Sequence, residues 1–379
     1  MTFVYLIGGL AVLTIGAELL VRGASRLAAL AGISPLVIGL TVVAFGTSAP
    51  ELAVSAGAAL SGATDLSVGN VVGSNIANTL LILGLGAMIR PLVVNQQLIR
   101  LELPVLIGIS ILTYLLALNG RMERYEGILL VVCIVIYTVF TVRQSRKESQ
   151  AVRAEYEREF QSKTQSMSTD AEPEFEEERK IGAISNRPIV QVGLAVLLTA
   201  LGLAMLVQGA DWLVTGAVQI ARWLRVDELV IGLTVVAVGT SLPELATSVM
   251  AAIRGETDIA VGNVVGSNMF NLMFVLGGSA IIAPGSIPVP DAALSFDIPV
   301  MIAATIACLP ISFTGRRIAR AEGWLFFGYY AVYVFILVLA AAGNPLLHTV
   351  EMAVLFFAVP LTIVGITFSL WQTYQLRRK

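Results

Sequence analysis

Two glutamates end the same six-residue motif in two different apolar stretches of the chain. GTSAPE occupies residues 46–51 and GTSLPE occupies residues 239–244, so the acidic residues are Glu51 and Glu244. A carboxylate inside a membrane costs several kcal/mol unless it is paired, and it therefore marks a functional site by default. Because neither apolar stretch holds a lysine or arginine, a bound cation is the remaining partner.

Neutral oxygens follow each glutamate in a second motif, GNVVGSN, at residues 69–75 and 262–268. Ser74 and Asn78 are four residues apart and share one helix face, as do Ser267 and Asn271. With no imidazole or thiolate nearby, such oxygen ligands select hard cations such as calcium, sodium and magnesium. Calcium accepts a larger and less regular cage than magnesium, so the residues favour calcium, and sodium is of similar size.

Glycine and proline in the GTSxPE motifs predict a helix break beside each glutamate. Proline removes a backbone donor and crowds the preceding turn. The carbonyls freed at such a break are tolerated at membrane depth only where they line a cavity or bind an ion. The motif therefore predicts backbone carbonyls as further ligands.

The composition identifies the elements that must position these residues. Of 379 residues, 56% are hydrophobic and only 13% are charged, and the mean hydropathy is +0.84. A soluble domain carries roughly 25% charged residues, so the lipid bilayer must cover much of this protein. Apolar runs of about 18 residues or more can cross a membrane. The sequence predicts spans at 2–21, 33–60, 66–89, 98–118, 125–143, 189–220, 228–253, 259–284, 292–314, 321–342 and 349–374.

Several classes of protein are excluded by the same composition. The net charge of −2 argues against a nucleic-acid partner. Two cysteines, Cys133 and Cys308, are too few for a disulfide framework or a thiolate metal site. A serine hydrolase needs a positioned base, and the predicted core spans contain no histidine or lysine. We therefore expect no enzyme activity, no cofactor and no obligate protein partner.

An internal repeat relates the two halves of the chain. Residues 37–84 and 230–277 are identical at 32 of 48 positions at a constant offset of 193. Five predicted spans, an odd number, separate equivalent residues, so the two copies must cross the membrane in opposite directions. Inverted repeats of this kind are a recurring transporter design, with ion sites near the midplane at broken helices.

The predicted organisation is a first repeat at 1–143, a hydrophilic linker at 144–188, a second repeat at 189–342, and an additional helix with a basic tail at 343–379. The linker carries eight basic and ten acidic residues and is predicted to be flexible or partly helical. Cytoplasmic loops are enriched in lysine and arginine. With the N-terminus outside, 20 of the 24 basic residues lie inside, which places the linker and C-terminus in the cytoplasm.

The two motifs, repeated in the same order, resemble the α-repeats of the cation/calcium exchanger superfamily and, within it, the prokaryotic sodium/calcium exchangers. The resemblance covers residues 1 to about 342. It implies an all-α integral membrane fold of two inverted five-helix repeats, ten spans in all, with a gate bundle formed by the first and sixth helices. The implied function is secondary active exchange of sodium for calcium across the inner (plasma) membrane by alternating access.

The resemblance also implies which residues bind each ion. The calcium ligands would be Glu51, Glu244 and the carbonyls of Thr47 and Thr240. The sodium ligands would be the two glutamates with Ser48, Ser241, Ser74, Ser267, Asn78, Asn271, Ala44 and Ala237. Two carboxylates neutralise one calcium or two sodium ions, so the two ions would compete for one site.

This sequence departs from the family pattern in two ways. Potassium-dependent relatives carry aspartate where this chain has Asn271, so we expect no potassium requirement. Residues 349–374 add an eleventh span to the usual ten. One alternative stays open on the same fold, namely proton/calcium exchange, in which the glutamates take up protons in place of sodium. A passive channel is harder to exclude from the sequence, and turnover that saturates, together with obligatory counter-ion exchange, would distinguish an exchanger from it.

Overall fold

The structure is a computed structural model that describes residues 2–166, 188–223, 237–313 and 316–360, and residue 367. Helices dominate the described ranges. Those before the linker are α1 Thr2–Ala31, α2 Pro35–Thr47, α3 Ala49–Ser61, α4 (Thr64–Ile76, Ala77–Ile82 and Leu83–Ile89 in series), α5 (Leu98–Glu102 and Leu103–Ala117) and α6 Arg124–Ser166.

The second half of the chain repeats this order. Its helices are α7 Pro188–Trp223, α8 Ala237–Thr240, α9 Leu242–Arg254, α10 (Thr257–Phe270, Asn271–Leu276 and Gly277–Ile282), α11 (Ala293–Asp297 and Ile298–Phe313), α12 Arg320–Ala341 and α13 (Leu346–Ala353 and Val354–Ala358). The pieces Gly39–Val43 of α2, Ala77–Ile82 of α4 and Asn271–Leu276 of α10 are π-helical.

Seven of the described helices are long and apolar enough to cross a membrane, and the bent pair of α2 and α3 would make an eighth. The other three predicted spans fall on shorter described helices, namely α9, α11 and α13. The predicted span at 228–253 begins outside the described residues, and the one at 349–374 continues beyond them. The chain is therefore a multi-pass helical membrane protein.

Two predicted boundaries differ from the helices in the structure. The first span was predicted at 2–21, but α1 continues to Ala31. The predicted span ended where hydropathy falls, at Arg22, but Arg22 and Arg26 both remain helical. Hydropathy therefore underestimates the length of this helix. Similarly, α6 extends through Ser166 into the predicted linker, which agrees with a partly helical linker.

Glycines allow α1 and α7 to pack with their backbones in close contact. They recur every seven residues, at Gly9, Gly16 and Gly23 on α1 and at Gly202, Gly209 and Gly216 on α7. A Cβ placed on Gly16 would lie 2.9 Å from the backbone nitrogen of Leu206, and one on Gly202 would lie 2.5 Å from that of Leu20. Small residues at helix crossings are the usual means of close approach in membranes.

The helices α2 and α10 also cross closely, and this contact joins the two repeats. A Cβ on Gly262 would lie 2.7 Å from the carbonyl oxygen of Leu36, and one on Gly266 would lie 2.6 Å from that of Leu40. The glycines of the second GNVVGSN motif therefore bring α10 against the helix that precedes Glu51.

Two short sheets join the halves of the chain as well. Strand β1 (Leu92–Val93) pairs antiparallel with β4 (Arg317–Ile318), and β2 (Arg121–Met122) pairs antiparallel with β3 (Ile287–Pro288). In chain order, β1 and β3 follow α4 and α10, whereas β2 and β4 precede α6 and α12. Each strand thus pairs with a strand of the other repeat. Because β1 is equivalent to β3 and β2 to β4, the two pairs are equivalent to each other.

Candidate ion-binding site

Each motif glutamate follows a break between two helices. The axes of α2 and α3 differ by 45°, and the break lies at Ser48, with φ −79° and ψ 7°. In the second repeat Ser241 takes nearly the same conformation, with φ −87° and ψ 8°, between α8 and α9. The predicted breaks are therefore present. They lie two residues before the prolines because proline is well tolerated in the first turn of the helix that follows.

The two glutamates therefore lie in the first turns of α3 and α9, where a helix terminus favours negative charge. Both side chains are completely buried. Oε1 of Glu51 accepts hydrogen bonds from Ser241 at 3.2 Å and Ser74 at 3.4 Å. Oε1 of Glu244 accepts one from Ser48 at 3.3 Å. Each carboxyl group is thus bonded to the serine three residues before the other glutamate.

The second oxygen of each carboxyl group has no hydrogen-bond partner among the described residues. Both Oε2 atoms are buried, and the ion pairs found among the described residues include neither glutamate. The described residues contain no cluster of three or more histidine, cysteine, aspartate or glutamate side chains. Two carboxylates surrounded by neutral oxygens are the ligands that the sequence predicts at this site.

The motif threonines are tied to the opposite repeat. Thr47 donates through Oγ1 to Oδ1 of Asn263 at 3.1 Å, and its hydroxyl lies 3.3 Å from that of Ser267. In the same way Thr240 donates to Oδ1 of Asn70 at 3.3 Å. These contacts bring together residues of the GTSxPE motif of one repeat and the GNVVGSN motif of the other.

The same two asparagines also hold the backbone of the glutamates. Asn70 donates through Nδ2 to the carbonyl of Glu51 at 3.2 Å, and Asn263 donates to that of Glu244 at 3.4 Å. Each makes a second bond, to Ser55 at 2.9 Å and to Ser248 at 3.0 Å. Each amide therefore links its own glutamate segment to the threonine of the other repeat.

The predicted neutral ligands lie on α4 and α10. Ser74 contacts Glu51 and Ser267 contacts Thr47, as described above. Asn78 and Asn271 lie one turn further along, both fully buried and both within π-helical segments, which occur frequently at functional sites. Neither amide of this pair makes a direct bond to the glutamates among the described residues.

The two alanines predicted to offer carbonyls differ between the repeats. The carbonyl of Ala44 accepts a hydrogen bond from the amide of Ser48 at 3.0 Å and lies 3.4 Å from the hydroxyl of Thr47. In the second repeat the amide of Ser241 donates to Val238 at 3.1 Å, and Ala237 begins α8 at the edge of the described residues.

Sequence reasoning missed four residues of this site, namely Asn70, Asn263, Ser55 and Ser248. A signal was present, since both asparagines are the first asparagine of the repeated GNVVGSN motif and both serines lie four residues after a motif glutamate. That spacing places serine and glutamate on one helix face. No spacing in the sequence shows that Asn70 contacts Thr240 or that Asn263 contacts Thr47.

Comparisons with known proteins agree with this arrangement. The profile of the sodium/calcium exchanger protein family matches residues 1–143 and 194–339. The chain is 38% identical over 303 residues to the inner membrane protein YrbG of Escherichia coli, covering 79% of this chain and 85% of YrbG. It is 34% identical over 344 residues to the sodium/calcium exchanger MaX1 of Methanosarcina acetivorans, covering 88% and 98%.

A solved structure has the same fold. The sodium-calcium exchanger NCX_Mj, soaked with Na⁺ and Sr²⁺, superposes with a TM-score of 0.71 at 29% sequence identity, over 88% of this chain and 97% of that one. The duplicated motifs, the buried glutamates at two helix breaks and these similarities lead to one assignment. The chain belongs to the sodium/calcium exchanger family of membrane cation antiporters.

Proposed function

We propose that this protein exchanges sodium for calcium by alternating access, with both ions bound between Glu51 and Glu244. The observation that carries the proposal is the reciprocal arrangement of the two carboxyl groups. Each is buried, each accepts a hydrogen bond from the serine three residues before the other glutamate, and each keeps one oxygen without a partner in the part of the chain that the structure describes. Two buried carboxylates without a cationic side chain need a compensating charge, which one calcium or two sodium ions supply.

The proposed calcium ligands are the two glutamates with the backbone carbonyls of Thr47 and Thr240. Hydrogen bonds from the threonine hydroxyls to Asn263 and Asn70 restrain the backbone at these positions. The proposed sodium ligands are the glutamates with Ser48, Ser241, Ser74, Ser267, Asn78, Asn271, Ala44 and Ala237. Because both ions use the glutamates, they compete, and competition for one site is what couples their movement in opposite directions.

The proposed topology has ten spans in two inverted repeats, an eleventh helix, an outside N-terminus, and a cytoplasmic linker and C-terminus. Contacts between distant segments support it, because each joins two segments that the topology places at the same membrane face. On the cytoplasmic side these are β1 with β4, Glu18 with Arg254, and Ser34 with Ser145. On the outer side they are β2 with β3, Thr2 with Gln219, and Arg124 with Ala283.

We further propose that α1 and α7 form the moving gate. Glycines on each helix lie against the backbone of the other, and such a close crossing without bulky side chains at those positions suits two helices that move together. The proposed site of action is the inner (plasma) membrane, without a potassium requirement, because the position that would hold a third carboxylate is Asn271.

The test is calcium uptake into proteoliposomes with the sodium, proton and potassium gradients applied separately. We expect a sodium gradient to drive uptake at clamped pH, without potassium. Glu51→Gln and Glu244→Gln keep the side-chain shape and remove the charge, so each is expected to abolish uptake. Both variants are checked for insertion and for a monodisperse elution profile after purification.

The possible outcomes separate the alternatives. Uptake that follows only the proton gradient would assign proton/calcium exchange to the same site. Calcium flux without any counter-ion would indicate a passive channel. Normal exchange in either glutamine variant would refute the site itself.

A further inference from the structure

Four buried asparagine side chains lie on α4 and α10, two directly after the serines of the site and two one turn further along. All four are at most 2% exposed. They are Asn75, Asn78, Asn268 and Asn271. An amide group has a donor end and an acceptor end, so each buried side chain presents either NH₂ or oxygen to a neighbour. Which end faces the site determines whether the side chain attracts or repels a cation.

Two hydrogen bonds in series define the orientation of the Asn75 amide and, through it, that of Asn271. Asn75 donates through Nδ2 to the backbone carbonyl of Asn268 at 3.2 Å. Asn271 donates through Nδ2 to Oδ1 of Asn75 at 3.1 Å. A backbone carbonyl can only accept, so Asn75 must direct its NH₂ group there and its oxygen towards Asn271. Asn271 must in turn direct its NH₂ group towards Asn75.

The oxygen of Asn271 is therefore the end of this amide that remains available. Its Oδ1 is buried and makes no hydrogen bond with the described residues. Asn271 lies four residues after Ser267, on the same helix face, and Ser267 contacts Thr47 in the site. A buried polar atom without a partner is costly, and a cation would satisfy this one.

We propose that Asn75 is a positioning residue for ion binding: by fixing the amide of Asn271, it makes that side chain present oxygen to the transported sodium ion. This inference rests on the proposed role of Asn271 as a sodium ligand. Asn75 itself does not bind the ion. Without Asn75, the amide of Asn271 is free to rotate, and half of its orientations present NH₂ to the cation.

The equivalent residue of the second repeat does not have this role. Asn268 donates through Nδ2 to the hydroxyl of Thr79 at 2.9 Å, and a hydroxyl both donates and accepts, so it imposes no direction. Both amide atoms of Asn78 lack a hydrogen bond with the described residues. The position equivalent to Thr79 in the second repeat is Leu272, which has no hydroxyl. Asn75 therefore has no equivalent of the bond that Asn268 makes to Thr79. Asn268 is therefore a matched control for Asn75.

The test is a double-mutant cycle on the full chain in proteoliposomes, with sodium-driven calcium uptake as the readout. Asn75→Ala is expected to raise the half-saturating sodium concentration about tenfold, because the ligand loses its orientation, while the maximal rate changes less than about twofold. A carboxylate presents oxygen in either orientation. In the Asn271→Asp background, Asn75→Ala is therefore expected to change the half-saturating sodium concentration less than about twofold.

Asn268→Ala removes an equally buried amide and is expected to leave sodium affinity within about twofold of the parent. Asn75→Ser is made in parallel, and stabilisation of the purified proteins by sodium is measured as a shift in Tm. The inference is overturned if Asn75→Ala has the same effect in both backgrounds, if Asn268→Ala costs as much, or if neither Asn75 variant folds when Asn268→Ala does. Failure of the proposed function is recognised separately, by exchange that survives Glu51→Gln.

Discussion

At the scale of single residues, the site depends on asparagines that bind no ion. Asn70 and Asn263 each bond to the carbonyl of their own glutamate and to the threonine of the other repeat. The net free energy of such a hydrogen bond is about 1 kcal/mol, and its loss also frees the backbone that carries the proposed carbonyl ligands. These side chains therefore restrain the residues of the proposed site.

Replacing one of these asparagines is expected to weaken calcium binding. Asn263→Ala removes the acceptor for the Thr47 hydroxyl, and loss of about 1 kcal/mol predicts a rise of about fivefold in the half-saturating calcium concentration. Calcium titration of sodium-driven exchange measures it. Asn119→Ala, at an exposed turn, is the control. An unchanged calcium affinity in Asn263→Ala would show that the amide has no part in holding the site.

The charge at position 271 is expected to control ion selectivity. Asn271→Asp adds a carboxylate near two others, and an added opposite charge strengthens cation binding by roughly 1–4 kcal/mol at 4 Å. We expect the half-saturating calcium concentration to fall at least threefold and a potassium-dependent component of uptake to develop. Uptake by parent and variant with and without potassium measures both effects, and an unchanged profile would contradict the predicted selectivity.

At the scale of helices, the glycine rows of α1 and α7 determine how closely the proposed gate packs. Gly202→Ala places a methyl group 2.5 Å from the backbone of Leu20, so the helices must separate. Such overpacking costs typically 1–3 kcal/mol. We expect a lower Tm and a slower maximal exchange rate with little change in ion affinity.

A control for this prediction lies on the same helix. A Cβ on Gly193 would meet no described atom within 4 Å, so Gly193→Ala is expected to leave both Tm and rate unchanged. An equal fall in Tm for the two substitutions would mean that the contact with α1 is not responsible, because alanine is the better helix former of the two residues.

An ion pair holds α1 against the end of α9. Glu18 pairs with both Arg254 and Arg22, and its side chain is 24% exposed. Glu18 and Asp211 are equivalent in the repeats, but Arg254 is equivalent to Ser61. The pair therefore has no counterpart at Asp211 and Ser61. If α1 and α7 form the proposed gate, we expect the pair to stabilise one of its two states over the other.

Removing the pair is expected to shift the balance between inward-facing and outward-facing states. A partly exposed pair contributes up to about 1 kcal/mol, so Arg254→Ser predicts a shift of at most about fivefold. The ratio of half-saturating calcium concentrations at the two membrane faces measures it. The double swap Glu18→Arg with Arg254→Glu is expected to restore the parental ratio, and failure of Arg254→Ser to alter it would exclude this role.

At the scale of the whole molecule, the two pairs of strands must lie at opposite membrane faces if the repeats are inverted. Cysteines introduced at Asn119, beside β2, and at Arg317, in β4, report on the two faces. We expect an impermeant thiol reagent added to intact cells to label Asn119→Cys and to leave Arg317→Cys unlabelled until the cells are opened. The background lacks Cys133 and Cys308. Labelling of both positions from one side would contradict the inverted topology.

The membrane class, the duplicated motifs, the two intramembrane glutamates and the helix breaks beside them can all be predicted from the amino-acid sequence. These features depend on local composition and spacing, which a constant offset of 193 residues makes visible in duplicate. The neutral ligands, among them Ser74 and Asn78, stay a prediction, because a shared helix face does not show that both side chains bind an ion.

The contacts between the two repeats could be read only from the folded chain. The repeat shows that Thr47 and Thr240 are equivalent, but not that Thr47 bonds to Asn263 or that Asn271 bonds to Asn75. Nor did the sequence predict the π-helical segments around Asn78 and Asn271. The physical reason is that equivalence is a property of the sequence, whereas contact depends on how closely α2 and α10 cross.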